Sequence, residues 1–199
     1  MKNKSARIII LILLVSFFLL LFNYFKLKNT YSGNIKVYIE KIQGVTSSYE
    51  NYIWYVNSGF HRTINQSMGL NNSKGETISL SQVIEDDFLL IYRVSDLFCS
   101  TCNESGLDIL NKSADLLSPL KVIVVGTFFD LNYMRKYEEL LKEKFPLYST
   151  KSKIGAELEE MGYPYFIMIN KKYEIVSFFV PDVLYPEFTR FYLKKLSNR

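Results

Sequence analysis

Two cysteines separated by three positions carry the chemistry that this sequence offers. The chain has 199 residues, and its two Cys are Cys99 and Cys102, with Ser100 and Thr101 between them. Two thiols at this spacing can form a disulfide and can exchange it with a disulfide of another molecule. An apolar run precedes the pair and a helical pattern follows it. This predicts Cys99 at a helix N-terminus, where backbone N–H groups and the helix dipole favour the thiolate.

The two thiols have different predicted roles. Cys99 is the predicted nucleophile, which attacks a substrate disulfide and forms a mixed disulfide, and Cys102 then resolves it. A purely stabilising disulfide is the main alternative, but a loop this short gains little from closure entropy. Metal binding is disfavoured, because a structural zinc site needs four ligands and the chain offers two Cys and one His. We therefore expect no metal and no cofactor.

Charge and composition exclude several other classes. The net charge is +4 and the basic residues are dispersed, so no nucleic-acid partner is predicted. No glycine-rich phosphate loop is present. A hydrolase of the Ser–His–Asp type would have to use the single His61, and no nucleophile-elbow pattern accompanies it.

An apolar segment near the N-terminus predicts a membrane anchor. Residues 8–22 are apolar apart from Ser16, and aromatic residues extend the run to 25. A span needs about 17–25 residues, so 8–25 is predicted to be a transmembrane signal anchor in contact with membrane lipid, after a cytoplasmic tail at 1–7. A cleaved signal peptide is the alternative, although the segment does not end in the small residues that cleavage requires. One such run predicts a single-pass protein of the cell membrane, and the basic residues before the run predict that its N-terminal side is cytoplasmic. The C-terminal domain would then be extracytoplasmic, on the periplasmic side in a Gram-negative cell, where disulfides persist.

Residues 26–75 are predicted to form a stalk or linker that is partly helical. Apolar side chains recur there in steps of three and four, at Ile35, Tyr38, Ile42, Val45, Tyr49, Tyr52 and Val56. Such a seam is typical of a helix that dimerises, so a homodimer through the stalk is one hypothesis. The other is a helix packed on its own domain or on the bilayer surface. Polar residues at 67–75 predict a loop.

The pattern changes at residue 76, and 76–199 is predicted to be one α/β domain. Strands are predicted at 77–80, 88–92, 121–126, 166–169 and 175–179, the last two paired through a turn at 170–172. Helices are predicted from the Cys pair to about Pro119, at 133–144, more weakly at 152–160, and at 186–196. Strands separated by helices of this length predict a parallel or mixed sheet flanked by helices.

Residues 77–196 resemble the thioredoxin-like superfamily, in particular its membrane-tethered bacterial thiol–disulfide oxidoreductases and redoxins. The resemblance depends on the strand, CxxC and helix unit, on Gly162, Tyr163 and Pro164 before a strand, and on the order of elements. It implies that Pro164 is a cis-proline that faces the active Cys and holds the substrate backbone. It also implies that Tyr163 borders the substrate groove.

The sequence departs from that family at positions that matter for the chemistry. Many thioredoxins carry a buried Asp six residues before the first Cys, where this chain has Arg93, and Phe98 replaces the usual Trp. Arg93 would favour a Cys99 thiolate if it lay beside the pair, or would have little effect if it extended outwards. Glu104 is a nearby carboxylate, as is Asp96, and either could accept a proton. The pattern therefore predicts a redox site without assigning the direction of electron flow.

The leading functional hypothesis is a membrane-tethered thiol–disulfide oxidoreductase that uses Cys99 and Cys102 on extracytoplasmic protein disulfides. Its partners would be protein thiol or disulfide substrates and an electron donor that the sequence does not name. One alternative is a non-catalytic binding module that keeps the thioredoxin fold. Another is a peroxiredoxin-like peroxidase. Peroxidase sites usually place Pro and Thr before the Cys, and here 96–98 read Asp, Leu and Phe.

Overall fold

The structure is a computed structural model that describes residues 2–59, 62–154, 159–160 and 162–198, without the side chains of 2–13, 41, 45 and 47–59. His61 lies outside the described residues. The chain divides into two units, Met1–Glu50 and Asn51–Arg199. Each unit is described by itself.

One long helix, α1 (Lys2–Gly59), contains the whole apolar run and the heptad-spaced segment. No proline interrupts it, so the backbone hydrogen bonds of the helix can continue. Among the seam residues, Ile35, Tyr38 and Ile42 are exposed, and the side chains of the later ones are outside the description. In the part of the chain that was described, no helix has both the length and the apolar character that a membrane span requires.

Within the described residues of the second unit, seven strands form one mixed sheet. They are β1 (Gly69–Asn71), β2 (Thr77–Ser79), β3 (Phe88–Ser95), β4 (Lys121–Thr127), β5 (Leu147–Ser149), β6 (Tyr165–Asn170) and β7 (Ile175–Phe179). The helices of this unit are α2 (Leu80–Val83), α3 (Ser100–Lys112), α4 (Leu131–Leu141) and α5 (Pro186–Leu196). The strand order is β2-β1-β5-β4-β3-β6-β7, with β3, β4 and β5 parallel and β6 antiparallel to both of its neighbours. The predicted α/β class, with a mixed sheet flanked by helices, is confirmed.

Side chains that alternate along the central strands build a core on each face of the sheet. In β3, Leu89 and Ile91 face one cluster, while Leu90, Tyr92 and Val94 face the other. The second cluster is covered by the apolar sides of α3, α4 and α5. Because α3 is held on this face, the start of that helix is fixed at the carboxyl end of β3.

The first face is covered by a segment that the sequence placed in the linker. We call residues 62–68 the strap. Its Ile64 N–H donates to the Tyr173 carbonyl at 2.8 Å, and Ile64 and Met68 are buried in the core. The chain then forms β1 where a loop at 67–75 was predicted, and Leu70 is fully buried. The isolated apolar residues among polar neighbours show no helix or strand period, which is why the pattern missed them.

The helices begin and end where capping groups are available. Asp130 accepts hydrogen bonds from the Asn132 and Tyr133 N–H groups and starts α4 two residues before the predicted position. Lys142 in the left-handed conformation ends α4 before the predicted residue 144. α3 ends at Lys112, well before Pro119, and a run of turns follows it. The predicted helix at 152–160 lies partly outside the described residues, while α5 matches its prediction.

Candidate active site

Cys99 occupies the N-cap position of α3, as the sequence predicts. Its Sγ accepts a hydrogen bond from the Cys102 backbone N–H at 3.3 Å, and the Thr101 hydroxyl oxygen lies 3.3 Å from the same sulfur. The free N–H groups and the positive end of the helix dipole are therefore directed at this sulfur. This arrangement stabilises negative charge on Cys99 when the disulfide is reduced.

The two cysteines form a disulfide, with the sulfurs 2.09 Å apart. Their exposure differs, since Cys99 is partly exposed and Cys102 retains only 8% of its accessible surface. Cys99 is therefore more accessible to a substrate than Cys102 is. This asymmetry suits an attacking thiol followed by a resolving thiol.

The loop before β6 lies directly against Cys99. The Cys99 N–H donates to the Gly162 carbonyl at 3.0 Å. Gly162 has a φ of 71°, a conformation in which glycine is favoured because it lacks Cβ. Pro164 is buried and Tyr163 remains 46% exposed. The loop that was predicted to face the Cys pair is therefore beside it, and the substrate-binding roles of Tyr163 and Pro164 stay predictions.

The peptide bond before Pro164 is trans, as are the other peptide bonds of the described residues. This differs from the cis-proline that the family resemblance implies. The loop still reaches Cys99, because β6 pairs with β3 in a register that places Tyr165 opposite Arg93. The start of β6 thus lies at the same end of the sheet as the start of α3.

Arg93 is buried, with 1% of its surface exposed, and every one of its donors is occupied. Its Nε and Nη2 donate to the two Glu159 oxygens at 3.0 and 3.3 Å. Nη1 donates to the carbonyls of Val94 and Val125, and Nη2 also donates to the Thr127 hydroxyl at 2.7 Å. The side chain therefore neither extends outwards nor presents an unpaired charge.

This position changes how Arg93 relates to the Cys pair. Tyr92 and Val94 face the cluster that α3 covers, so Arg93 between them faces the other side of the sheet. Its charge is compensated by Glu159 at 3.0 Å. A role for Arg93 as a modulator of the Cys pair stays a prediction, and its observed hydrogen bonds connect β3 to a segment that is distant in sequence.

Glu159 is the central acceptor of that connection, and sequence reasoning missed it. Its Oε1 accepts from the Ile154 N–H at 2.7 Å and from the Tyr165 hydroxyl at 3.2 Å, in addition to Arg93. The pKa of Tyr165 is raised, mainly by burial and secondarily by the negative charge of Glu159. The Tyr165 hydroxyl therefore keeps its proton and stays a hydrogen-bond donor. A pairing between residues 93 and 159 leaves no local signal. The only usable hint was an arginine inside an otherwise apolar strand.

A polar network lies beneath the first turn of α3. The Tyr92 hydroxyl has one proton to donate and lies within reach of two acceptors, the Asn103 carbonyl at 3.3 Å and the Cys102 carbonyl at 3.5 Å. The Asn103 amide donates to the Ser95 carbonyl and to the Tyr137 hydroxyl, each at 2.9 Å. Burial raises the pKa of both tyrosines, so both hydroxyls stay protonated at neutral pH. The network joins the helix turn that carries Cys102 to β3 and α4.

The two nearby carboxylates have other partners. Asp96 accepts from the Phe129 N–H at 2.7 Å, and burial raises the pKa of Asp96, with that hydrogen bond opposing and the Asp130 charge adding to the rise. Glu104 forms an exposed ion pair with Lys136 at 2.8 Å, which links α3 to α4. A role for Glu104 as a modulator of the pair stays a prediction.

The described side chains supply no metal site. Across residues 14–40, 62–154, 159–160 and 162–198, no group of three or more His, Cys, Asp and Glu is placed to hold an ion. Cys99 and Cys102 are bonded to each other, and a disulfide sulfur is not the thiolate that binds metals. The chemistry that this arrangement can perform by itself is thiol–disulfide exchange.

Comparison with solved structures identifies the architecture as a thioredoxin-like fold. A peroxidoxin, BcpB from Mycobacterium tuberculosis, is 12% identical with a TM-score of 0.52 over 69% of this chain and 97% of that chain. A thiol:disulfide interchange protein from Bacteroides sp. is 16% identical with a TM-score of 0.52 over 71% and 93%. A secreted disulfide oxidoreductase of M. tuberculosis, homologous to E. coli DsbE, is 11% identical with a TM-score of 0.50 over 65% and 96%.

These similarities define the fold, and at such low identity they extend no further. No protein-family model matches the sequence, and no curated protein matches it.

Proposed function

We propose that this chain is a thiol–disulfide oxidoreductase that acts on protein disulfides through Cys99 and Cys102. The observation that carries the proposal is the position of Cys99, a partly exposed residue at the N-cap of α3 whose sulfur accepts the Cys102 N–H. Cys102 lies buried one helical turn later and is bonded to it. A stabilising disulfide would not require a partly exposed cysteine at a helix N-terminus.

The exchange reaction uses the Cys99 and Cys102 thiols, a substrate disulfide and a dithiol donor. In the reduced protein the Cys99 thiolate attacks one sulfur of a substrate disulfide, that bond breaks, and the first substrate thiolate leaves. Cys102 then loses its proton and attacks the Cys99 sulfur, which releases the second substrate thiolate. The pair has given two electrons to the substrate, and a dithiol of the donor class returns them.

Single-cysteine variants of the full chain test this assignment. With dithiothreitol as donor and insulin as the disulfide substrate, Cys99→Ser should abolish reduction. Cys102→Ser should instead accumulate a mixed disulfide, visible as a mass increase that thiols reverse. Equal rates for the unaltered protein and Cys99→Ser would overturn the proposal. They would favour a binding module that keeps the fold without its chemistry.

We further propose that residues 8–25 tether the domain to the cell membrane, with the Cys pair on the extracytoplasmic side. Support comes from the apolar run at 8–22 and from the basic residues before it. The full chain should fractionate with membranes and resist carbonate extraction, and protease added to intact spheroplasts should digest the domain. Release by carbonate, or protection of the domain from protease, would contradict the tether or its orientation.

A thiol peroxidase is the second candidate, because one of the solved structures with this fold is a peroxidoxin. Against it, Asp96, Leu97 and Phe98 occupy the stretch where such sites usually place Pro and Thr. Consumption of hydrogen peroxide by the reduced chain, lost in Cys99→Ser, would favour the peroxidase. Insulin reduction without peroxide consumption would favour the oxidoreductase.

A further inference from the structure

The last helix of the domain, α5, carries large apolar side chains on its outer side as well as on its inner side. The inner side is formed by Thr189, Leu193 and Leu196, which are buried. Phe188 and Phe191 lie one turn apart, at the spacing that brings helical residues to one face. Their side chains are 46% and 62% exposed. Burial of the inner side holds α5 on the domain, so packing does not explain the two outer rings.

The turn before α5 extends this exposed apolar surface. Leu184 is 81% exposed, and Val183 beside it is also exposed. The Tyr185 ring lies 5.8 Å from the Phe188 ring, which joins the turn to the start of the helix. Among the described residues, neither core cluster includes Leu184, Phe188 or Phe191. Exposed apolar side chains grouped in this way are typical of interaction surfaces.

Basic side chains accompany the exposed rings. Lys195 extends over the Phe191 ring, with its Nζ 5.6 Å from the ring centroid. Arg190 and Lys194 are exposed as well. Within the part of the chain that the structure describes, none of these three cations forms an ion pair. Glu187 is the single acidic residue of the α5 sequence, so the helix has a net positive charge.

We propose that the outer face of α5, formed by Leu184, Phe188, Phe191, Lys194 and Lys195, binds the surface of an anionic lipid bilayer. The apolar side chains would enter the boundary between headgroups and acyl chains, while the lysine ammonium groups reach the lipid phosphates on their long stems. Anionic headgroups complement the positive charge of the helix. The proposal goes beyond thiol–disulfide exchange and uses none of the chemistry of the disulfide.

A bilayer fits this face better than a folded protein does. A standard protein interface takes about 800 Å² and roughly 20–30 residues from each partner, which five side chains on one helix do not supply. A few inserted apolar side chains with basic neighbours suffice at a bilayer when a tether raises the effective concentration of the two surfaces. The proposed anchor at 8–25 would be such a tether.

Tryptophan fluorescence of the full chain measures whether this face enters lipid. Trp54, the single tryptophan of the sequence, is replaced by Phe, and Phe191→Trp then places a reporter on α5. Phe129→Trp is the matched control, because the Phe129 ring is 73% exposed and lies in the loop after β4. Each protein is reconstituted into vesicles of phosphatidylcholine, with or without an equal amount of phosphatidylglycerol. The acyl chains carry bromine near the headgroup, which quenches tryptophan on contact.

In vesicles that contain phosphatidylglycerol, the emission of the Phe191→Trp reporter should shift to shorter wavelength and be quenched by bromine. The Phe129→Trp reporter should show neither effect. Absence of quenching of the Phe191→Trp reporter would overturn the proposal, and so would equal quenching of the two reporters. If the chain still associates with the vesicles in either case, the α5 assignment fails and the proposed anchor stands.

Charge variants in the Phe191→Trp protein test the headgroup contact. Lys194→Gln combined with Lys195→Gln should lower the ratio of bound to unbound α5 about fivefold for each charge removed. Lys171→Gln combined with Lys172→Gln removes the same charge from the exposed turn between β6 and β7 and should leave the ratio unchanged.

Two further outcomes would overturn the anionic bilayer as the occupant of this face. Equal quenching with and without phosphatidylglycerol would show that the positive charge of α5 has no role. A shift of the Phe191→Trp emission that follows protein concentration and does not require lipid would show that a second copy of the chain covers the face instead.

Discussion

The Arg93 guanidinium and the Glu159 carboxylate form an ion pair on the face of the sheet opposite α3, with Nε and Oε1 3.0 Å apart and both side chains almost fully buried. The pair joins β3 to the segment that precedes the Gly162 loop. It therefore holds in place the two parts of the chain that meet at Cys99.

Glu159→Gln should destabilise the domain by about 3–5 kcal/mol, because it leaves a buried guanidinium without a counter-charge. The amide oxygen can still accept from Ile154 and Tyr165. The amide NH2 cannot accept from Arg93 Nη2, so the loss combines the missing charge with one missing hydrogen bond. Urea unfolding followed by circular dichroism measures it. Glu85→Gln, which breaks the exposed pair with Lys121, is the control and should cost less than about 1 kcal/mol. A similar small cost for Glu159→Gln would contradict the prediction.

The reduced Cys99 thiol should be alkylated by iodoacetamide with a pH midpoint below about 8.5, the value for an ordinary cysteine. The cause is the Cys102 N–H that donates to its sulfur, together with the α3 dipole. In Cys99→Ser, the buried Cys102 should react far more slowly. A midpoint at or above 8.5, or equal reactivity of the two thiols, would argue against an activated Cys99.

Gly106→Ala should destabilise the domain by about 1–3 kcal/mol, although alanine is ordinarily the better helix former. A Cβ at Gly106 would collide with the Tyr92 ring and its hydroxyl. Tyr92→Phe combined with Gly106→Ala should recover part of the loss, because the hydroxyl is the nearest atom. Thermal unfolding of the two single variants and the double variant measures the coupling. Strict additivity of the two effects would show that the collision is absent.

Asp96→Asn should become more stable relative to the unaltered protein as pH rises. Burial raises the pKa of Asp96 in the folded state above the unfolded value of about 3.9. Below that value the group is protonated in both states, and ionisation penalises the folded state as pH climbs through the raised pKa. The difference in stability between the two proteins is measured from their urea unfolding midpoints at several pH values between about 3 and 7.

Asp115→Asn, on the exposed turn after α3, controls for the loss of one surface carboxylate. If the stability of Asp96→Asn relative to the unaltered protein fell as pH rises, the inferred direction of the pKa shift of Asp96 would be wrong.

The position of Cys99 was predictable because each part of its environment is local in sequence. The run before it is apolar on both faces, which indicates a buried strand, and the residues after it show the helix period. The same reasoning predicted β6 and β7, whereas the position of the loop at Pro164 was implied by the family resemblance. Chemistry that depends on neighbours in the chain could therefore be inferred before the structure.

Residues whose partners are distant in sequence could not be inferred in the same way. Glu159 pairs with Arg93 across 66 positions, and nothing near either residue indicates the other. The strap and β1 were assigned to a linker, because Ile64, Met68 and Leu70 are single apolar residues in a polar stretch. Their burial is decided by the sheet face that they cover and not by their own periodicity.

The strap also determines how the domain would respond to mechanical load. Tension transmitted from the N-terminal side would first reach the hydrogen bonds from Ile64 N–H to Tyr173 and from Ile175 N–H to Arg62. Next along the chain come the buried side chains of Ile64 and Met68. The strap would therefore bear such a load before the load reached the central strands that position Cys99.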